Sequence, residues 1–138
     1  MTTADGVTTA AAVQARPRIL VIEDEPSVAA FMRTALERRG YDVVPSPSAA
    51  EGLRLLAINE FRGVISDFRT PGGINGADLH DWVRRHRPEL ASRIVFITGD
   101  TASAETVALL AQDGTPFVEK PFRVQELLAA VEKTIGKP

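Results

Sequence analysis

Five polar residues stand at or just beyond the ends of short apolar runs in this chain. They are Glu23, Asp24, Asp67, Thr98 and Lys120. Three of them carry carboxylates, one carries a hydroxyl and one carries an ammonium group. If the apolar runs are parallel strands, their carboxyl ends meet at one edge of a sheet, and all five side chains come together there.

This set of groups suits phosphoryl chemistry beside a metal ion. Crowded carboxylates repel one another unless a cation neutralises them, and Mg²⁺ takes carboxylate oxygens together with waters and phosphate oxygens. A carboxylate beside such an ion can attack phosphorus and form an aspartyl phosphate. Thr98 and Lys120 would then bind the phosphoryl oxygens, one by a hydrogen bond and one by its charge. Taken singly, each acid is better explained as a solvated loop residue, Lys120 as a surface residue and Thr98 as a helix cap or turn residue. The hypothesis therefore depends on their joint placement.

Strands and helices are predicted to alternate along the chain. Continuous apolar runs predict strands at 19–22, 41–44, 63–66, 94–97 and 117–118. Helical spacing of apolar residues predicts helices at 26–39, 49–57, 77–86, 103–111 and 124–135. Pro26 suits a first helical turn, Gly40 suits a helix end, and Ser48 with Glu51 predicts a capping box.

The alternation predicts an α/β fold. Strands that are apolar on both faces indicate a doubly wound parallel sheet with helices on both sides. Right-handed crossovers leave few topologies, and an open sheet of five such units commonly takes the strand order 2-1-3-4-5. Ligands then bind at the carboxyl ends of strands 1 and 3, where Glu23, Asp24 and Asp67 are expected.

Composition limits the class of protein. The 138 residues are 44% hydrophobic and 25% charged, as in one ordinary globular domain, and residues 1–17 have the composition of a flexible N-terminal tail or linker before a domain at 18–138. The lack of cysteine excludes disulfides and thiolate ligands, and His80 and His86 are too few for a histidine-rich metal site. A net charge of −2 and short apolar runs argue against direct nucleic-acid and membrane partners and favour a cytoplasmic protein.

Four motifs in order carry a resemblance to a known family. They are ILVIEDE, GVISDFRTPG, IVFITGD and FVEKPF. From residue 18 to about residue 136, the chain resembles the receiver domains of two-component response regulators. The resemblance implies the flavodoxin-like (βα)5 fold and a signalling domain rather than an enzyme. It implies that Asp67 accepts a phosphoryl group from the phosphohistidine of a sensor histidine kinase or a histidine phosphotransfer domain.

The resemblance also implies roles for individual residues. Glu23, Asp24, Asp67 and the backbone carbonyl of Arg69 match the family's ligands for Mg²⁺, for which Mn²⁺ is an alternative. Thr98 and Lys120 match its phosphate-binding pair, and Phe117 matches the aromatic residue that changes rotamer with phosphorylation. The surface formed by the fourth helix, the fifth strand and the fifth helix would meet an output partner that the sequence does not identify. The motifs further resemble receivers attached to hybrid sensor histidine kinases.

The chain departs from the family pattern at several positions. Glu23 stands where the family more often has aspartate, so its contact with metal is expected through water, and the loop at 71–76 is one residue longer than usual. Phe117 has no hydroxyl, so its switch cannot use a hydrogen bond.

Two alternatives to a receiver domain stay open. One alternative is a Mg²⁺-dependent phosphatase of the haloacid dehalogenase type, although its DxDx[TV] pattern is missing from the first strand. The other is an interaction module that acts without phosphorylation.

Overall fold

The described strands and helices follow the predicted order, apart from the helix predicted over 103–111, which lies largely outside the described residues. A computed structural model describes residues 16–69, 74–99, 108, 110–111 and 114–138. Its strands are β1 (Arg18–Ile22), β2 (Asp42–Ser46), β3 (Gly63–Asp67), β4 (Ile94–Thr98) and β5 (Phe117–Glu119). Its helices are α1 (Pro26–Arg39), α2 (Ala49–Ile58), α3 (Gly76–His86), a short 3-10 helix (Pro88–Leu90) and α4 (Val124–Thr134).

The five strands form one parallel sheet in the order β2-β1-β3-β4-β5. This is the predicted order 2-1-3-4-5. The pairing aligns Ile22 with Ser66, Asp67 with Ile97, and Thr98 with Glu119. The register therefore brings the carboxyl ends of β1, β3, β4 and β5 to one edge of the sheet.

Alternate residues of β1 supply the two faces of the sheet. Ile19 and Val21 belong to a buried cluster with residues of α1 and α4. Leu20 and Ile22 belong to a second cluster with residues of α2 and α3. Since successive side chains of a strand point to opposite faces, both faces of β1 are apolar and both are covered by helices.

Helix ends follow local signals in part. The α1 helix ends at Gly40, which has a φ of 118° and donates to the carbonyls of Leu36 and Glu37. The Ser48 hydroxyl accepts from the Glu51 amide at the start of α2, but the Glu51 carboxylate pairs with Arg54, so the predicted reciprocal box does not form. A complete capping box instead joins Asn75 and Asp78 at the start of α3.

Three predicted segments lie partly outside the described residues. The helix predicted over 103–111 is described only at Ala108, Leu110 and Ala111, which are helical. The loop predicted over 71–76 is described from residue 74 onward. Of the tail predicted over 1–17, the structure describes residues 16 and 17, and Arg16 donates to the carbonyls of Glu37 and Gly40 at 2.6 and 3.0 Å.

Candidate functional site

The predicted site residues occupy one edge of the sheet. Glu23 and Asp24 directly follow β1, Asp67 ends β3 and Thr98 ends β4. Lys120 directly follows β5, and its amide donates to the Thr98 carbonyl at 2.7 Å. Four strands thus deliver the groups that the sequence pattern predicted would converge.

Three of the carboxylates form a cluster that could hold a cation. One oxygen from each of Glu23, Asp24 and Asp67 lies within 4.8 Å of the others. Since Mg²⁺ binds oxygen at about 2.0–2.1 Å, ligand oxygens on its octahedron stand at most about 4.2 Å apart, so the cluster has about the size that the ion needs. Glu23 is buried, Asp67 is partly buried and Asp24 is exposed, so solvent reaches the cluster from the Asp24 side.

Lys120 is the cation of the described site. Its ammonium nitrogen lies 3.2 Å from Glu23 Oε1, 3.4 Å from Asp67 Oδ2 and 3.6 Å from Glu25 Oε1. Sequence reasoning missed Glu25, although it is the last acid of the ILVIEDE motif. The signal was its position two residues after Glu23, but nothing local to the motif indicates that it faces Lys120.

Burial and charge act in opposite directions on these groups. Burial raises the pKa of Glu23 and of Asp67 above their ordinary values, and Lys120 only partly offsets this. Burial alone would lower the pKa of Lys120, but the neighbouring Asp67 and Glu23 raise it above its usual value. The ammonium therefore stays charged at neutral pH, while the two carboxylates are costly to ionise without a further cation.

Two buried side-chain oxygens in the site make no hydrogen bond within the described part of the chain. The Glu25 amide donates to Glu23 Oε2 at 3.1 Å, which fixes the Glu23 carboxylate. Glu23 Oε1 and Thr98 Oγ1 are buried and have no hydrogen-bond partner among the described residues, although Oε1 lies close to the Lys120 ammonium. Buried polar atoms are rarely left without partners, so Thr98 Oγ1 indicates a ligand or ordered water at the site, whereas Glu23 Oε1 has its ion pair with Lys120.

Phe117 lies behind the site at the start of β5. It pairs with Phe96 of β4 and packs, half-buried, against the cluster that contains Phe68 and Phe96. The rings of Phe68 and Phe96 meet edge to face with centroids 5.3 Å apart. Phe117 is thus next to the strand that ends in Thr98, as a switch between them requires.

Arg69 lies two residues beyond Asp67 and is exposed. Its backbone forms an isolated antiparallel bridge with Asn75, which closes the base of the loop that follows β3. The proposed role of its carbonyl stays a prediction.

The basic residues at the end of α3 have structural partners. Arg84 and Arg85 pair with Asp81, and Arg87 donates to the Leu56 carbonyl at the end of α2. His86 stacks on Trp82 with ring centroids 4.5 Å apart. Arg84, Arg85 and His86 thus interact within α3, and Arg87 joins the end of α3 to α2.

The match to a family model decides the classification. The model of the response regulator receiver domain matches residues 19–132. The chain belongs to this family. As a receiver domain it is a signalling domain of two-component systems rather than an enzyme, as predicted, and the phosphatase alternative is not favoured. Within the described residues, no helix is both long enough and apolar enough to cross a membrane.

Known proteins similar to this receiver domain agree with that classification. It is 30% identical over 120 residues to the response regulator ArlR of Staphylococcus saprophyticus. The aligned region covers 87% of this chain and 53% of ArlR. It is 33% identical over 124 residues to the DNA-binding response regulator MtrA of Mycolicibacterium smegmatis, which covers 88% of this chain and 52% of that protein. The chain spans about half the length of these curated relatives.

Solved receiver domains share the fold. The non-phosphorylated HemR receiver domain of Leptospira biflexa matches with a TM-score of 0.75 and 30% identity, over 89% of this chain and 97% of that chain. A response regulator receiver domain protein from Clostridium thermocellum matches with a TM-score of 0.74 and 28% identity, over 86% of this chain and 94% of that chain. The predicted fold is confirmed, while the roles of individual residues and the attachment to a hybrid kinase stay predictions.

Proposed function

We propose that this receiver domain accepts a phosphoryl group on Asp67 from the phosphohistidine of a sensor histidine kinase or a histidine phosphotransfer domain. The observation that carries the proposal is the placement of the Asp67 carboxylate. It lies 3.4 Å from the Lys120 ammonium and within the acidic cluster, and its side chain is 11% exposed. A donor can therefore reach this carboxylate at a point where positive charge is already present.

In the proposed transfer, an Asp67 oxygen forms a P–O bond as the P–N bond of the phosphohistidine breaks. The electron pair of the P–N bond goes to the imidazole nitrogen of the donor, which is then protonated. The negative charge of the transferred group needs stabilisation, and Lys120 supplies a charge already held within the pocket. Thr98 Oγ1, which has no hydrogen-bond partner among the described residues, is free to donate to a phosphoryl oxygen.

The acidic cluster fits a magnesium ion. We assign Asp24 and Asp67 as direct ligands, Glu23 as a contact through water, and the Arg69 carbonyl as the backbone ligand. An Mg²⁺ ion held by these residues would neutralise charge on the carboxylates and on the phosphoryl oxygens. The grouping of one oxygen from each of Glu23, Asp24 and Asp67 within 4.8 Å supports a place for such an ion.

The direct test measures phosphorylation of the isolated domain. With Mg²⁺ and acetyl phosphate, we expect its mass to increase by one phosphoryl group, in a linkage that hydroxylamine cleaves as it cleaves acyl phosphates. Phosphotransfer from purified histidine kinases should be screened in parallel, because rapid transfer identifies the cognate donor. A chain that stays unmodified by both kinds of donor would contradict the proposal.

Magnesium should stabilise the domain through Asp24. Relief of repulsion among the carboxylates should raise the melting temperature as Mg²⁺ is added, since a ligand that binds only the folded state stabilises it by mass action. Asp24→Ala should remove most of this rise, measured by thermal unfolding with and without Mg²⁺. Asp42→Ala is the control. Asp42 is half-exposed and pairs with Arg18 at the amino ends of β2 and β1, whereas the site lies at the carboxyl ends of the strands. An equal rise in Asp24→Ala and the wild type would exclude Asp24 as a ligand.

The surface beside Lys120 suits the donor protein. A hollow of about 450 Å³ is lined by Ser27, Val28, Phe31, Lys120, Pro121 and Phe122. Phe31 is 44% exposed, and a second apolar hollow lies on its other side, between α1 and α4. Because this apolar surface adjoins the Lys120 side of the site, we assign it to the phosphohistidine-bearing partner.

Phe31→Ala should therefore slow transfer from a protein donor by about tenfold, as expected for loss of an aromatic contact at an interface. Its phosphorylation by acetyl phosphate should stay within about twofold of the wild type, since a small donor needs no docking surface. Ile58 is also exposed but lies at the end of α2, so Ile58→Ala is the matched control. Equal slowing with both donors would show that Phe31 acts on the site rather than on docking.

Phosphorylation is proposed to act at a distance through Thr98 and Phe117. Thr98 would move toward the phosphoryl group, and Phe117 would fill the space behind β4. This changes the surface formed by the helix predicted over 103–111, β5 and α4, which would meet an output partner that we leave unidentified. Residues 18–138 would form this phosphoacceptor unit in the cytoplasm, with residues 1–17 as its tail or linker.

A further inference from the structure

Glu25 is the outermost partner of Lys120. Its carboxylate lies 3.6 Å from the ammonium, and its side chain is 62% exposed. The other two carboxylates near Lys120 belong to Glu23 and Asp67, whose side chains are 0% and 11% exposed. Glu25 is therefore the partner that water can replace at least cost.

The local structure shows that Glu25 does not serve as a side-chain cap for α1. It occupies the N-cap position, where Ser, Thr, Asp and Asn are preferred because their side chains bond the first free amides. No hydrogen bond from the Glu25 side chain caps the helix. Its amide instead holds Glu23 Oε2 at 3.1 Å, and its carboxylate lies near Lys120.

The negative charge of Glu25 affects how an anionic phosphodonor approaches the site. Four carboxylates lie at this edge of the sheet, those of Glu23, Asp24, Glu25 and Asp67. Among the described residues, the cation that contacts them is Lys120. An anionic phosphodonor must approach this negative group of side chains, and its oxygens need the same ammonium that Glu25 faces. A carboxylate at the rim both repels the donor and competes with it for Lys120.

We infer that Glu25 is a specificity-determining residue that selects against small anionic phosphodonors. It is an exchangeable counter-ion of Lys120, displaced when phosphoryl oxygens arrive. Its charge raises the concentration of free donor needed for phosphorylation, while a docked protein donor is held in place by other contacts. This inference rests on the proposed function, because it concerns how the phosphoryl group reaches Asp67.

The test compares Glu25→Gln, Glu25→Asp and the wild type with acetyl phosphate, a dianion at neutral pH. Glu25→Gln should lower the half-saturating donor concentration by about threefold, in line with the energies of exposed ion pairs, and leave the maximal rate within about twofold. The effect should vanish in about 1 M salt, where screening acts over about 3 Å. Glu25→Asp keeps the charge and should resemble the wild type.

A matched control separates the rim charge from net charge. Glu60 is 89% exposed and lies 3.6 Å from Arg87, away from the site. Glu60→Gln removes the same charge and should leave the half-saturating concentration unchanged. The inference is overturned if Glu60→Gln lowers that concentration equally. It is also overturned if Glu25→Gln reduces only the maximal rate, since the carboxylate would then position Lys120 rather than compete for it.

A second measurement does not depend on phosphorylation. Melting temperatures of Glu25→Gln, Lys120→Gln and the double variant, taken without Mg²⁺, form a double-mutant cycle. Non-additive changes support the counter-ion contact, whereas additive changes overturn it. If the wild type takes no phosphoryl group while the cycle shows coupling, the proposed function fails and the contact between Glu25 and Lys120 stands.

Discussion

Asp67→Asn is expected to abolish stable phosphorylation, both by a phosphohistidine donor and by acetyl phosphate. The amide oxygen is a poor nucleophile, and the neutral group weakens binding of the metal ion that the acidic cluster would hold. Incorporation measured by intact mass should fall by at least about 100-fold, the scale of losing a reacting group. Asp42 is a half-exposed aspartate that pairs with Arg18, away from the site. The control variant Asp42→Asn should incorporate phosphate as the wild type does. Undiminished incorporation into Asp67→Asn would place the phosphoacceptor elsewhere.

The same substitution should stabilise the domain in the absence of Mg²⁺. Burial raises the pKa of Asp67 above its ordinary value of 3.8, so ionisation costs more in the folded state than in the unfolded chain. Between the unfolded and folded pKa values the native state binds more protons, and the contribution of Asp67 to stability decreases as pH rises through that interval. At neutral pH, Asp67→Asn should therefore melt above the wild type, and this advantage should shrink as pH falls through the interval. A lower melting temperature at neutral pH would mean that the pairing of Asp67 with Lys120 outweighs its burial.

Thr98→Ala is expected to leave phosphorylation possible but to prevent the signal from spreading. Thr98 Oγ1 is buried without a hydrogen-bond partner among the described residues, so a phosphoryl oxygen would be its natural acceptor. Without the hydroxyl, nothing couples the position of residue 98 to the phosphoryl group, so phosphorylation no longer changes the space that is open to Phe117. Because the rotamers of Phe117 can differ only in packing, the switch should be biased by about 1–2 kcal/mol, as is usual for coupling between sites.

The measurement is NMR with beryllofluoride and Mg²⁺, which together mimic the phosphoryl group. In the wild type, amide shifts should change at residues 101–120 as well as in the site. In Thr98→Ala these distant changes should shrink strongly, while Thr98→Ser, which keeps the hydroxyl, should retain most of them. Equal distant changes in the wild type and Thr98→Ala would show that Thr98 does not carry the signal.

The alternation of apolar runs with helical patterns was sufficient to predict a doubly wound parallel sheet, whose common strand order then placed the site at its carboxyl edge. Buried parallel strands need residues that are apolar on both faces, and β1 shows this continuously from Ile19 to Ile22. Each run stops at the point where the chain leaves the sheet, so the first polar residues after the runs mark its carboxyl edge. Local chemistry also located Pro26 at the start of α1 and Gly40 at its end.

The partners of individual side chains depended on tertiary structure. Lys120 is distant in sequence from Glu23 and Glu25, and they meet because the carboxyl ends of β5 and β1 lie at the same end of the parallel sheet. Arg87, at the end of α3, bonds a carbonyl of α2 instead of serving only its own helix. Periodicity determines which face of an element is buried, because it depends on near neighbours in the chain. Which carboxylate faces the ammonium, and which oxygen is left without a partner, depends on register and packing between elements that the pattern of one segment does not contain.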